Sequence, residues 1–279
     1  MNYGFEIELF GADLQKKQIF SANNLITDYL KLKELPGHSA NQNPILASNN
    51  RLQLIADGTP FEIIGKQTAC EESMLGKDGY AVKFINTDLK QIRSYLEKLF
   101  NIDTLLTPFV EKPEWEFINP GQVYSSGKRK HNAYTNTSKY DDKKKEESNK
   151  PVSFRSAGFH IHIKFDEKVE NEILEGVYAP KKCNELIKQL DKVYKTYFPT
   201  YLSKISKKLA EKETLRNTQY AKFGDYRIKY HALTQMNRGF STLEYRQFSA
   251  AFFMLDIDTQ TKILHDFANT VRKFVKKLT

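Results

Sequence analysis

Three short segments of the chain alternate apolar and polar residues with the two-residue period of a β-strand. They cover residues 3–10, 159–165 and 243–248. Each segment carries two polar residues two positions apart, and the pairs are Glu6 and Glu8, His160 and His162, and Glu244 and Arg246. Because residues i and i+2 of a strand share a face, we predict three strands side by side. Their sheet would have an apolar back and a concave front that holds carboxylates, imidazoles and a guanidinium.

Apolar residues at helical spacing predict four further segments as helices. These helices are predicted over residues 22–32, 89–100, 182–212 and 258–278. Thr87 or Asp88 can cap the second helix, and Pro199 is expected to break or kink the third, because proline interrupts the helical hydrogen bonds.

The turn residues complete the pattern. Residues 51–64 are predicted as two extended segments around the Asp57-Gly58-Thr59-Pro60 turn, and residues 35–48 as a loop. Strands interleaved with helices, without a regular βαβ rhythm, predict an α+β fold on a mostly antiparallel sheet.

The polar segment at about residues 125–151 has almost no aliphatic side chains. It cannot bury enough apolar surface to offset chain entropy. We therefore predict a mobile surface insert within a single domain that spans residues 1–279.

Composition narrows the class of protein. The 279 residues are 40% hydrophobic, which fits a globular chain with a sizeable core. No apolar run approaches the roughly 18 residues of a membrane helix, and the N-terminus shows no leader pattern. Cys70 and Cys183 are expected to be reduced thiols. We expect a cytoplasmic protein without a membrane partner.

The net charge of +9 permits a nucleic-acid partner. Much of the lysine, however, lies in residues 128–150, 204–212 and 273–277. Charge runs of this kind are usually solvated faces, so a nucleic-acid partner is a secondary hypothesis. The excess charge could also attract an anionic substrate such as a nucleotide.

Each polar pair has a chemical and a structural interpretation. Glu6 and Glu8 could bind Mg²⁺, which prefers carboxylates, water and phosphate oxygens, or could simply face solvent. His160 and His162 could ligate a metal or contact a phosphate, or could be incidental on a half-exposed strand. Both interpretations stay open.

Two further groups of polar residues have the same ambiguity. Arg227 and Arg246 near Glu244 could grip phosphate or carboxylate, or could form a structural ion pair with Glu244. Glu62 lies among apolar neighbours, where a carboxylate is costly unless it faces a cation, while Asp57 could serve only the turn. Since the chain has no glycine-rich phosphate loop, metal and arginines would have to hold any nucleotide phosphates.

In this order, the motifs resemble those of the phage and bacterial amidoligases, which are carboxylate–amine ligases with a glutamine synthetase-like fold. The matching elements are Gly4-Phe5-Glu6-Ile7-Glu8, Asp57 to Glu62, Ser156-Ala157-Gly158-Phe159-His160-Ile161-His162, Tyr226-Arg227 and Glu244-Tyr245-Arg246. The resemblance spans residues 4–246. It implies a curved antiparallel sheet with helices on its convex face, and a concave site for ATP and Mg²⁺ or Mn²⁺.

The resemblance also implies a reaction and a set of roles. ATP would phosphorylate a small-molecule or peptide carboxylate, and an amine would then attack the acyl phosphate. The metal ligands would be Glu6, Glu8, Glu62, His160, Glu244 and, less securely, Asp57. His162 would lie near the ATP phosphates, Arg227 and Arg246 would stabilise the phosphoryl group or the substrate carboxylate, and Arg155 is a weaker candidate for contacting the nucleotide. A phage source would put the protein in the host cytoplasm.

Three functions therefore compete. The leading hypothesis is an ATP- and Mg²⁺-dependent carboxylate–amine ligase. The second is a metal-dependent phosphotransferase of the same fold, and the third is a non-enzymatic basic protein that binds nucleic acid. The base that deprotonates the amine is hypothesised to be Glu62, Glu71 or Glu72.

Overall fold

The computed structural model describes fourteen parts of the chain. They are residues 1–34, 44–49, 52–57, 59–65, 69–70, 80–106, 109–110, 116–118, 154–155, 157–170, 173, 179–219, 230–235 and 240–278. The predicted insert at 125–151 lies outside the described residues, and so do Arg227, Glu71 and Glu72. Of Arg155 only the backbone is described.

The fold is α+β with a mostly antiparallel sheet, as predicted. The main strands are β1 (Asn2–Asp13), β3 (Ile45–Ser48), β4 (Leu52–Ala56), β5 (Phe61–Gly65), β11 (Gly158–Lys164), β12 (Tyr230–Gln235) and β13 (Phe240–Ser249). They lie in the order β12-β13-β11-β1-β5-β4-β3. The sheet is open, with β12 and β3 at its two ends. The three polar-pair strands are adjacent, which confirms the prediction that they lie side by side.

Shorter strands extend this sheet. They are β2 (Gln18–Phe20), β6 (Ala69–Cys70), β7 (Asp103–Leu105) and β9 (Glu116–Ile118), and a separate pair joins β8 (Phe109–Val110) to β10 (Phe154–Arg155). The far half of β1 pairs with β2 and β7, while its first residues pair with β6. The pairing of β2 with β9 is parallel.

The longer helices lie where the sequence pattern predicts them, but most of them begin or end at other residues than predicted. The described helices are α1 (Ala22–Leu32), α2 (Ile85–Phe100), α3 (Glu167–Glu170), α4 (Ala179–Lys204), α5 (Lys207–Gln219) and α6 (Ile257–Val275). The prediction for α1 is confirmed at both ends, and Ser21 Oγ caps it by accepting from the Asn24 amide at 3.3 Å. The predicted cap of α2 by Thr87 or Asp88 is wrong, because a π-helical turn (Tyr80–Phe84) leads directly into that helix.

The break expected at Pro199 does not occur. Helix α4 continues through Pro199 and ends at Lys204, and α5 begins at Lys207; the kink, which was the alternative, stays a prediction. Aromatic side chains pack before and after the proline: Tyr194 contacts Phe248 with ring centroids 5.3 Å apart, and Phe198 lies 6.2 Å from Tyr201. We attribute the continuity of the helix to this packing, which offsets the lost hydrogen bond.

Residues 45–48 correct the predicted loop over residues 35–48. They form strand β3, which pairs with β4 at the edge of the sheet through Ile45 with Ile55 and Ala47 with Leu54. The free edge of β4 supplies the hydrogen-bonding partner that the local sequence does not reveal. Both extended segments predicted around the 57–60 turn are confirmed as β4 and β5.

The apolar sides of β1, β11 and β13 face helices. Phe5 and Phe159 stack with ring centroids 5.4 Å apart, and Phe159 packs at 5.1 Å on Phe252 of the 3₁₀ helix Ala250–Met254. Tyr245 packs at 5.4 Å on Phe267 of α6. The polar pairs therefore occupy the opposite face of these strands, which we call the front face. Among the described helices, none is long and apolar enough to cross a membrane.

Candidate metal centre

Strand register brings the three polar pairs together on the front face. Glu6 of β1 lies opposite His160 of β11. Glu8 lies opposite Glu62 of β5, and His162 lies opposite Glu244 of β13. Because partners in an antiparallel ladder have Cβ atoms about 5 Å apart, each pairing joins side chains that are distant in sequence.

The His160 ring bridges two carboxylates. Its Nδ1 lies 3.3 Å from Glu6 Oε2 and 3.0 Å from Glu244 Oε1. Glu244 Oε1 also accepts a hydrogen bond from Arg246 Nη1 at 2.6 Å. The structural ion pair considered for Glu244 is therefore present with Arg246, and His160 ties that pair to β1.

The His162 ring is held from one side. Its Nδ1 lies 3.1 Å from the Thr242 hydroxyl, in hydrogen-bonding geometry. Its Nε2 lies 3.1 Å from Glu6 Oε1. That second contact is close but not aligned as a hydrogen bond, and Nε2 is buried without a hydrogen-bond partner among the described residues.

Glu8 and Glu62 form a second buried carboxylate pair next to the first group. The side chains are almost inaccessible, with residue exposures of 3% and 7%. The Gly158 amide donates to Glu8 Oε2 at 2.6 Å. A side chain at Gly158 would collide with the His160 ring and the Glu8 carboxylate, so glycine is what allows the two strands to bring these groups so close.

The carboxylates nearest the cations are ionised. Burial raises the pKa of Glu6, but the hydrogen bond from His160 and the close contacts and charges of His160 and His162 outweigh it and hold the pKa well below its ordinary value. Burial acts likewise on Glu244, where Arg246 and His160 lower the pKa to about 2. Burial and Arg246 lower the pKa of His160, but its carboxylate partners raise it to about 9. At neutral pH His160 is therefore an imidazolium.

The other two carboxylates behave in the opposite way. Burial raises the pKa of Glu8, and the charges of His160 and Arg246 do not fully offset it. Burial together with the charges of Glu6, Asp57 and Glu8 places the pKa of Glu62 well above its ordinary value. Among the described side chains, the front face thus holds more carboxylates than cations.

One group of side chains meets the geometric requirement of a metal site. Ligand atoms of Glu6, His162 and Glu244 all lie within 4.8 Å of one another. The buried Nε2 of His162 tests the fit, because a neutral imidazole nitrogen with no hydrogen-bond partner is a suitable ligand. Two carboxylates and one imidazole suit Mg²⁺ or Mn²⁺, although imidazole also suits Zn²⁺.

The remaining predicted residues are placed less fully. Asp57 is exposed at the end of β4, and its charge acts on Glu8 and Glu62. Arg227 and the side chain of Arg155 lie outside the described residues, so the structure does not test their predicted roles.

Sequence reasoning missed three residues around this site. Thr242 holds His162, and Gly158 binds Glu8. His231 of β12 lies opposite Glu244 in the strand register. A histidine in an alternating strand segment was a usable signal for His231, whereas Thr242 has the sequence signature of an ordinary strand residue.

Two apolar cavities lie elsewhere in the fold. One is bounded by Phe5, Ile7 and residues of α2, and the other by Tyr194, Phe248 and Phe252. Both are on the helix-covered side of the sheet, so neither coincides with the polar groups of the front face.

Comparisons with known proteins do not assign this centre. No family model matches the chain, and no curated protein or solved structure matches it. The functional argument therefore depends on the side chains themselves.

Proposed function

We propose that the protein is an ATP- and Mg²⁺-dependent carboxylate–amine ligase, of the amidoligase kind that its motifs resemble. The observation that carries the proposal is the convergence of Glu6, His162 and Glu244 from three adjacent strands, with ligand atoms within 4.8 Å of one another. The excess of buried carboxylate around that group supports a cation there.

The charges of the front face bear on the choice of substrate. Four glutamates would repel nucleotide phosphates unless a divalent cation intervened. In this proposal Glu6, His162 and Glu244 hold one cation, and Glu8 with Glu62 contributes to a second, with Asp57 nearby. The cations would neutralise phosphate charge during phosphoryl transfer.

The proposed reaction has two steps, and arginine side chains assist them. A carboxylate oxygen of the substrate attacks the terminal phosphorus of ATP and ADP leaves, which gives an acyl phosphate. The amine then forms the C–N bond and expels inorganic phosphate. Arg246, which pairs with Glu244 at 2.6 Å, is proposed to stabilise the negative charge that develops in the reaction, and Arg227 is proposed to have the same role. Arg155 is proposed to contact the nucleotide.

Glu62 is proposed to accept the proton that the amine loses. Its pKa lies well above the ordinary value because it is buried among other carboxylates. In this proposal the bound cations lower that pKa and ionise Glu62, and its carboxylate is then able to accept the amine proton. Glu71 and Glu72, the other bases considered, lie outside the described residues.

The proposal extends to the finer fold and the location. It includes a sheet that curves around the front face in the manner of glutamine synthetase, with helices on the convex side. Helices α4 and α6 do pack against the opposite face, which supports this arrangement. A cytoplasmic location follows from the use of ATP as substrate.

The position of the described lysines favours this function over nucleic-acid binding. The lysines at 204–212 belong to α4 and α5, and those at 273–277 lie in the last turn of α6 or just after it. Helices α4 and α6 pack against the face opposite the carboxylates. The described side chains of the candidate centre are mainly carboxylates, so we expect a phosphate group to bind there through a cation rather than by direct contact with lysines.

Calorimetry of ATP binding with and without Mg²⁺ tests the proposal. We expect binding by the wild type that requires Mg²⁺ and is lost in Glu6→Gln/Glu8→Gln. Glu211→Gln, on an exposed position of α5, is the control and should bind like the wild type. Absence of ATP binding by folded wild-type protein would refute the proposal.

A second assay separates the ligase from the phosphotransferase. Pairs of carboxylates and amines are screened for phosphate release, and hydroxylamine is then substituted for the amine. An acyl phosphate intermediate, formed with release of ADP, reacts with hydroxylamine to give a hydroxamate and inorganic phosphate. A stable phosphorylated product in the presence of every amine would instead favour the phosphotransferase.

A further inference from the structure

His160 and His162 are the front-face histidines whose side chains the structure describes, and their surroundings differ. The ring nitrogen Nδ1 of His160 is engaged by carboxylates on both sides, at 3.3 Å from Glu6 and 3.0 Å from Glu244. The Nδ1 of His162 is engaged by a neutral hydroxyl, that of Thr242. The two histidines therefore suit different tasks, although their spacing in the sequence is symmetrical.

The contacts of His160 are those of a positioning residue. Its Nδ1–H can donate to both carboxylates, which holds β1 to β13 across β11. Its other nitrogen, Nε2, faces Gly158 so closely that a β-carbon there would collide with it. A metal ion would have to displace one of these contacts to reach the ring.

The contacts of His162 are those of a ligand. Its Nε2 is buried, has no hydrogen-bond partner among the described residues, and lies 3.1 Å from Glu6 Oε1. A nitrogen that ligates must keep its lone pair, so the ring proton must reside on Nδ1. In that tautomer Nδ1–H donates to Thr242 Oγ1, which is the second contact that metal-ligating histidines commonly make.

We propose that Thr242 is a positioning residue that fixes the tautomer and orientation of His162, so that His162 Nε2, rather than His160, joins Glu6 and Glu244 as a metal ligand. This assignment rests on the proposed metal centre, and it reverses the role that the motif resemblance implies for the two histidines. The assignment also gives a function to Thr242, which was not among the polar residues singled out in the sequence.

Binding of Mn²⁺ alone, measured by calorimetry on the full chain, tests the assignment. Thr242→Val keeps the shape of the side chain and removes the hydroxyl, and we expect it to weaken Mn²⁺ binding by about 10–100-fold. Thr242→Ser restores the hydroxyl and should recover most of the affinity. The control is Thr196→Val, which removes an exposed hydroxyl that donates to the Lys192 carbonyl oxygen in α4 and should leave affinity unchanged.

The outcomes separate the two proposals. If the wild type binds Mn²⁺ and Thr242→Val binds it equally well, the Thr242 assignment is wrong while the metal centre stands. If the folded wild type does not bind Mn²⁺, the metal centre and the assignment both fall.

A measurement on the wild type keeps the test valid if Thr242→Val does not fold. Long-range ¹H–¹⁵N spectra report the tautomer of each histidine, and His162→Asn assigns the His162 signals. We expect a proton on Nδ1 of His162 and, on addition of Zn²⁺ as a diamagnetic probe, a shift of its Nε2 resonance. A proton on Nε2, or a Zn²⁺-induced shift confined to His160, would overturn the assignment.

Discussion

The close approach of β1 and β11 at the front face depends on Gly158, and Gly158→Ala tests that dependence. A β-carbon at this position would lie 2.9 Å from Glu8 Oε2 and closer still to His160 Nε2. A β-carbon does not approach non-bonded atoms to such distances, so the His160 ring must move. That ring is only 4% exposed and is tied to Glu6 and Glu244, so it cannot move without breaking contacts.

The expected effect combines two opposing contributions. Overpacking a buried site costs about 1–3 kcal/mol, whereas replacing glycine by alanine stabilises the protein by about 0.4–1 kcal/mol through the unfolded chain. The central values of the two ranges give a net loss of about 1.3 kcal/mol. At roughly 2–4 °C per kcal/mol for a large domain, the melting temperature should fall by roughly 3–5 °C, and Mn²⁺ binding should weaken because His160 no longer holds the carboxylates.

A glycine in a neighbouring strand provides the matched control. A β-carbon on Gly65 of β5 would meet only backbone atoms of Phe5, at 3.7 Å and 3.8 Å, which are ordinary contact distances. Gly65→Ala should therefore melt at or slightly above the wild-type temperature and bind Mn²⁺ normally. Thermal unfolding and Mn²⁺ calorimetry are to be measured on both variants. If Gly158→Ala and Gly65→Ala have the same melting temperature and the same Mn²⁺ affinity, the collision is relieved without moving His160.

Two further predictions concern the support of β13 and the pH dependence of the metal-free protein. Arg216 of α5 donates to the carbonyl oxygens of Arg246, Gln247 and Phe248. Arg216→Met leaves these buried acceptors unpaired and should lower the free energy of unfolding by at least about 3 kcal/mol. Urea unfolding measures this change, and a loss below about 1 kcal/mol would contradict the role of Arg216. With EDTA present to remove metal, the stabilisation from His160 should be complete below its ordinary pKa of 6.5 and should be lost as the pH rises through about 9. The stabilisation from Glu244 should be present above its ordinary pKa of 4.5 and should be lost as the pH falls through about 2. Thermal melts across pH should show both declines, and a wild-type alkaline decline that persists unchanged in His160→Asn would refute the attribution to His160.

The sequence predicts the strands of the centre well, because the two-residue period fixes which side chains share a face. The prediction that β1, β11 and β13 are adjacent came from grouping their three polar faces. The register between the strands could not be predicted, because a shift of two residues would keep every side chain on its face and still separate Glu6 from His160. The division of roles between the two histidines depends on that register.

Other features are set by contacts that no local pattern encodes. Strand β3 forms because β4 offers it a free edge, and α4 continues through Pro199 because aromatic residues pack on both sides of the proline. The Arg216 contacts join a helix to a strand about 30 residues away. Such long-range partners decide local structure whenever their packing outweighs local propensity.

The charge balance of the front face leads to a last prediction, that cation binding releases protons. Glu62 has a pKa well above its ordinary value, and that of Glu8 is also raised, because burial and neighbouring carboxylates disfavour their charged forms. In the metal-free protein these two carboxylates therefore keep their protons to higher pH than an ordinary glutamate does. A divalent cation offsets the carboxylate charge directly, so binding should displace those protons.

Calorimetry in two buffers with different enthalpies of ionisation, at one pH, measures this release. The observed enthalpy of Mn²⁺ binding should differ between the buffers in the direction of proton release. Glu62→Gln, which cannot ionise, should release fewer protons, whereas the exposed control Glu211→Gln should match the wild type. Mn²⁺ binding with no proton release would mean that Glu62 is already charged in the metal-free protein, and that the front face balances its carboxylates by contacts other than those of His160 and Arg246.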